Sequence, residues 1–289
     1  MMKPASKIFL YGLYAIVALL VFLYLRFPSD LMKEILVTQV QKVQPDVQLE
    51  TDVISPTIPL GIKLKPLVVS YNEIPVLRLD QLVITPRLLS LFSSNKRYAF
   101  SGSLGTGELN GRADTISESN TEASQVNLNL SHIPMAFLEI LNQFQKFKPE
   151  GQIDAGINFD SRKGGGTADV NLDIAPAHIA LDPPLMGLET LEFDTIKAQL
   201  TVSPRMMQIR SCDATGEQFE SKITGSIVFL QPLEESRMTL SLTVKPQPAF
   251  IAEHKNDMLG GLLASDSAQK RGLVFHISGT LKNPNYVIR

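Results

Sequence analysis

Hydrophobic and polar residues follow three different periods along this chain, and each period marks a different kind of element. Ile8 to Leu25 are eighteen consecutive uncharged, mostly apolar residues. As a helix rising about 1.5 Å per residue the run spans roughly 27 Å, close to the hydrocarbon thickness of a bilayer. Leu31, Ile35, Leu36, Val40 and Val43 then recur at helical spacing, with Lys33, Glu34, Gln39 and Lys42 between them. Ser29 and Asp30 offer caps and Pro45 a stop, so residues 28–45 read as an amphipathic helix. Such a helix packs on the end of the following domain or lies on a membrane surface.

From Val47 the period becomes two. Ile62 and Leu64 alternate with Lys63 and Lys65; Val126, Leu128 and Leu130 alternate with Asn127 and Asn129. Ile153, Ala155, Ile157 and Phe159, then Ala168, Val170, Leu172 and Ile174, then Ile196, Ala198, Leu200 and Val202, repeat the pattern. Met238, Leu240, Leu242 and Val244 continue it. This alternation predicts antiparallel strands with one apolar and one polar face, and Arg162 to Gly166 reads as a hairpin loop between two of them. Ile133, Phe137, Leu138, Leu141, Phe144 and Phe147 fall at three- and four-residue spacing and predict a helix, with Pro134 in its first turn and Pro149 beyond its end. A second, less regular helix candidate is Pro248 to Ala268, and the polar stretch Asp114 to Ser124 reads as a mobile loop or a tip between long strands.

The exit of the apolar run, Val21-Phe22-Leu23-Tyr24-Leu25, lacks the small residues a signal peptidase needs, which predicts an uncleaved anchor rather than a removable signal. Lys3 and Lys7 favour a cytoplasmic start, against Arg26 and Lys33 on the far side. The expected organisation is a cytoplasmic tail at 1–7, a transmembrane anchor at 8–27, the amphipathic helix at 28–45 and an extracytoplasmic antiparallel β domain at 46–289. The expected fold class is mainly β: a large curved antiparallel sheet, open as a groove or closed like a sandwich, with two or three short helices.

Charge and chemistry narrow the function. The net charge of −2 lacks the basic excess of a nucleic-acid binder. Cys212 stands alone, so no internal disulfide forms; a structural position in a strand edge or turn is expected for it. His132, His178, His254 and His276 are scattered without metal-ligand spacing. Ser93-Ser94-Asn95-Lys96 matches an S-x-x-K pattern but sits in a polar turn with no companion motif. Gly105-Thr106-Gly107 and Gly164-Gly165-Gly166 occupy β-turns and open no helix, so they make poor phosphate cradles. No catalytic residue, cofactor site or metal site is expected, and no enzyme.

Several segments together carry a family resemblance. They are the anchor and amphipathic helix, the strand Pro59 to Leu64, the stretch Leu82 to Phe92, the glycine-studded Tyr98 to Gly111, the restart Glu150-Gly151-Gln152-Ile153, and the closing Ile277-Ser278-Gly279-Thr280-Leu281-Lys282-Asn283-Pro284. This layout resembles the type II secretion system protein N (GspN) family and, more distantly, the AsmA-like proteins. The resemblance implies an inner-membrane, single-pass protein whose C-terminal domain lies in the periplasm, with other type II secretion subunits as partners. AsmA-like relatives are built as a long curved sheet with an apolar trough, and several are linked to phospholipid movement between membranes; the family supplies no catalytic residues.

An apolar sheet face must close on itself, pack against a second layer, or stay open for a ligand. If it is a groove for phospholipid acyl chains, Ile157, Phe159, Val170, Leu172, Leu200 and Val202 are the expected lining. Two expectations follow: a secretion-machine subunit anchored in the inner membrane, or a lipid-binding and lipid-transfer module. A continuous exposed apolar trough separates them.

Overall fold

In the computed structural model the described residues are 10–288, apart from 13, 16–17, 19–20, 23, 44, 59, 119–120, 140–146, 164, 186–187 and 254–270. Helix α1 (Ser29–Val43) leads into sixteen strands: β1 (Val47–Thr57), β2 (Gly61–Tyr71), β3 (Ile74–Leu79), β4 (Gln81–Pro86), β5 (Asn95–Leu104), β6 (Gly107–Glu118), β7 (Thr121–Pro134), β8 (Phe147–Asp160), β9 (Thr167–Leu185), β10 (Leu188–Phe193), β11 (Thr195–Val202), β12 (Met206–Thr215), β13 (Phe219–Val228), β14 (Arg237–Pro246), β15 (Leu273–Thr280) and β16 (Pro284–Ile288). A short helix α2 (Pro248–Glu253) follows β14. All strands join one open antiparallel sheet.

The topology is a simple meander. β3 and β4 both pair with β2, at Leu67↔Leu79 and Leu64↔Leu82, so together they form one long strand bent at Asp80. β10 and β11 share β9 in the same way and bend at Asp194. The Asp80 bend is fixed from both sides: its N–H donates to the Ser103 carbonyl at 3.0 Å, and its Oδ2 accepts from the Gly105 N–H at 2.6 Å. Gly105 needs its missing side chain there, because φ is +58° and a Cβ would stand 2.6 Å from the Phe137 ring. Register slips at Leu130/Ile133, Gly151/Ile153, Gln199/Leu200 and Ile209/Cys212 add the bulges that bend and twist a long sheet.

The meander gives the sheet two long edges. The connections β1–β2, β4–β5, β6–β7, β8–β9, β11–β12, β13–β14 and β15–β16 form one, here termed the tip edge; the remaining connections form the base edge. Helix α1 lies along β1, pressing Met32 and Leu36 onto the core around Ile54, Leu64 and Leu67, and the Lys33 Nζ donates to the Thr51 carbonyl at 2.8 Å. The expected amphipathic helix is therefore present, but rotated. Leu36 packs inward as its spacing predicts, but Leu31 and Ile35 remain exposed and Met32 packs in their place.

The helix expected from Ile133 is not one. Ile133 and Pro134 end β7, Met135–Phe137 form a 3-10 turn, and Phe147 opens β8; Leu141 and Phe144 lie outside the described residues. Fully buried Ile133 pairs with Ile153 across the ladder, so sheet pairing overrides the helical spacing. The stretch 114–124 is a hairpin tip, since β6 and β7 stay paired to Glu118↔Thr121. Of the second helix candidate, Pro248–Glu253 is helical and 254–270 lies outside the described residues. Between residues 10 and 25 the described positions are helical, and Leu10, Tyr11, Tyr14, Val21, Phe22, Tyr24 and Leu25 are all exposed. Among the described residues no helix is long and apolar enough to cross a membrane; much of the run from 8 to 27 lies outside them.

Candidate functional site

Directly opposed residues in neighbouring strands share a face, so the registers trace rows across the sheet. One row runs Ile62, Ile84, Phe100, Gly111, Leu128, Ile157, Val170, Leu200, Ile209, Gly225, Leu240 and Ile277, from β2 to β15 without a polar side chain. A second, nearer the tip edge, runs Val126, Phe159, Ala168, Val202, Met207, Ile227 and Met238. A third, nearer the base edge, runs Ile54, Leu64, Leu82, Gly102, Leu109, Leu130, Ala155, Leu172, Ala198, Cys212, Ile223, Leu242 and Phe275. The apolar face is thus continuous across the sheet. All six expected lining residues lie on it.

What covers that face differs along it. Over β1 to β7, α1, Phe27, Phe137 and Leu138 lie on the sheet and seal a core in which Leu64 and Leu104 have no exposure. At the base corner of the second half, Phe250 of α2 stacks on Phe219 with ring centroids 4.6 Å apart, and Leu188, Leu191, Val244 and Leu273 join them. Leu172 packs at the margin of the first core. Ile157, Phe159, Val170, Leu200 and Val202 belong to neither core and are half-buried, as are Met207, Ile209, Ile227 and Leu240. Among the described residues no second layer lies on this patch. The alternation Met207-Gln208-Ile209 was the available signal for the residues beyond the expected six.

The opposite face is polar and bound across strands. Arg97 pairs with Asp114 at 3.2 Å, Lys197 with Asp173 at 3.5 Å, Arg210 with Asp169 at 2.8 Å and Lys222 with Asp213 at 3.7 Å. Asp160 at the β8–β9 tip accepts from the Arg162 guanidinium and from Gln125, which in that order hold its carboxyl well below the usual carboxylate range. These pairs are solvent-exposed, so they set register more than stability. A cavity of about 740 Å³ opens on this polar side, among Asn129, Asp154, Asn171, Lys197, Gln199 and Asp213. This hollow is not the apolar patch, which is broad and open.

Cys212 sits mid-strand in β12, paired with Ala198 and Ile223, rather than at an edge or turn. Burial pushes its thiol up, and the neighbouring Asp213 adds to the shift. His178 stands 3.9 Å from Glu192 on the polar side, and among the described residues no group of His, Cys, Asp or Glu is placed to hold a metal. No buried side-chain nitrogen or oxygen there lacks a hydrogen-bond partner. The chemistry the patch offers is burial of apolar chains, at about 0.8 kcal/mol per methylene. Comparisons with family models, with curated proteins and with solved structures found no match.

Proposed function

We propose that this protein is a non-enzymatic, membrane-anchored lipid-binding module that shelters acyl chains against the uncovered part of its apolar sheet face. The observation that carries the reading is the unbroken apolar row from Ile62 to Ile277, on which, from Ile157 onward, no second layer lies among the described residues. A row of apolar side chains with no preferred stopping point suits an extended chain, which gains by sliding and not by fitting one pocket. The exposed apolar residues between 10 and 25 support an anchor at 8–27, with the sheet domain outside the cytoplasm; the resemblance noted above makes the membrane an inner membrane and the compartment a periplasm. A second reading, a structural subunit of a type II secretion system, rests on that resemblance and on edge strand β16. All five of its residues are exposed, and it offers unpaired backbone groups to another chain.

In-cell photo-crosslinking separates the two. A photoreactive residue replaces Phe159, Val170 or Leu200 in turn, with Asn171 as polar-face control and Tyr286 as the edge-strand position. Phospholipid adducts at the three apolar positions and none at Asn171 are expected. Protein adducts alone, concentrated at Tyr286, would replace lipid binding with the secretion-subunit reading.

A further inference from the structure

The described strands and connections leave few large apolar side chains exposed, and their distribution is one-sided. Beside α1, the β1–β2 turn presents Ile58, 86% exposed, and the β4–β5 connection presents Leu89 and Phe92, 87% and 94% exposed, with Leu60 and Leu88 next to them. Met206, Val228 and Leu230 are exposed farther along the same tip edge. Apart from Val53 and the last strand, no other large apolar residue from β1 onward is exposed among the described residues.

The apolar tip is built, not frayed. A Cβ on Gly61 would lie 2.9 Å from the Ile84 carbonyl and 3.3 Å from Thr85 Oγ1, which puts the β1–β2 turn against the end of β4. Ser90 is buried within the β4–β5 connection; its hydroxyl donates to the Arg87 carbonyl at 2.6 Å and accepts from the Arg97 N–H at 3.0 Å. That clamp fixes a turn whose Leu88, Leu89 and Phe92 nonetheless point into solvent.

The geometry also says what lies opposite. The fifteen residues of α1 extend about 22 Å, the reach of six or seven strand residues at about 3.3 Å each. Helix α1 ends at Val43, just before β1 begins at Val47, so the chain turns back and β1 runs antiparallel to α1. With Lys33 bonded to Thr51, Ser29 stands beyond the middle of β1, toward the tip edge. Phe27 and Pro28 then carry the chain from the apolar run to that same edge, and Arg26, Arg87 and Lys96 are exposed around it. A patch of large apolar side chains ringed by cations, next to the end of an apolar helix, matches a bilayer surface with anionic headgroups.

We propose that Ile58, Leu89 and Phe92 form a second membrane contact, inserting at the headgroup–acyl boundary and seating the tip edge of the sheet on the bilayer. This rests on the reading of residues 8–27 as a membrane anchor. Seated so, the uncovered apolar rows lie on the membrane side of the sheet, since the row through Phe159 is the one nearer the tip edge.

The chain has no tryptophan, so a single substitution makes a site-specific fluorophore. Full-length Phe92→Trp, Leu89→Trp, Tyr14→Trp and Thr106→Trp proteins are reconstituted in phosphatidylcholine–phosphatidylglycerol bilayers with bromine on the acyl chains. Phe92→Trp and Leu89→Trp are expected to lose at least half as much fluorescence as Tyr14→Trp, and Thr106→Trp, at the base edge, almost none. Quenching of Tyr14→Trp with Phe92→Trp and Leu89→Trp as bright as Thr106→Trp would overturn the second contact and leave the anchor standing. An unquenched Tyr14→Trp would overturn the anchor and the contact together.

Discussion

Two parts of one sheet face, alike in sequence, differ in what lies on them. Leu64, Leu82 and Leu109 in the first half and Val170, Leu200 and Leu240 in the second come from the same apolar–polar alternation and occupy continuous rows. The first three sit beneath or beside α1 and the 3-10 turn at Met135–Phe137; the second three have no described layer above them. Leu64 has no exposure, whereas Val170 and Leu200 keep part of theirs. A strand pattern thus makes a face, and a separate element decides whether that face becomes core or surface.

The sharpest break of the comparison is truncation at matched positions. Leu64→Ala removes a fully buried side chain from a packed cluster, and the transfer and cavity costs together are about 2–5 kcal/mol. Ile157→Ala, half-buried and uncovered, is expected to cost about 1 kcal/mol, the transfer term alone. Urea unfolding of the full chain in detergent measures both, and equal losses would mean that the second half is filled as tightly as the first.

A charge sharpens the same contrast. Val170→Glu places a carboxylate between Ile157 and Leu200, where an uncovered face leaves it in reach of water. The fold is expected to survive with a smaller midpoint shift than Leu64→Ala gives, while lipid crosslinks from Phe159 and Leu200 disappear. A variant that fails to fold would contradict an open face.

Much of this fold was legible in the sequence because alternation is a local signal. The runs at Ile62, Val126, Ile153, Ala168, Ile196 and Met238 announced their apolar sides, while β5, β6 and β12 gave no such reading, and all six expected lining residues fell on one face. Ile133 and Phe137 misled because a strand end followed by a 3-10 turn can copy helical spacing over a few residues. The rotation of α1 was illegible for another reason. Met32 joins the expected Leu36 in facing inward because the sheet beneath them offers Ile54 and Leu67, a fact about distant residues. Whether a face is covered is likewise non-local, and so is the tip edge, where Leu88, Leu89 and Phe92 follow no period at all.

Cys212 gives a gentler probe of cover. It lies on the row through Leu172 and Ala198, one step toward the base edge from the uncovered residues. Because burial raises its thiol, little thiolate exists near neutral pH, and alkylation should keep accelerating above about pH 8.5, where an ordinary thiol levels off. If the face beside it is open, a bulky maleimide should follow the same pH profile as small iodoacetamide. Reaction with iodoacetamide alone would mean that a layer lies over this row.

The smallest expected effect is at the β8–β9 tip, where the uncovered patch meets the polar face. Asp160 is an acid whose folded value lies below its unfolded one, chiefly through Arg162 and then Gln125. Such a group adds stability above its unfolded value of about 3.9 and loses it as pH falls through the lower, folded value. Asp160→Asn should therefore loosen the hairpin by a constant amount from neutral pH down to about pH 4, and by progressively less below it. Hydrogen exchange of the amides around Ser161 and Thr167 reads this locally, and the packed half of the sheet should not respond. A difference that grew on acidification would have the wrong sign for this carboxylate, and would mean that Arg162 holds the tip through some other partner.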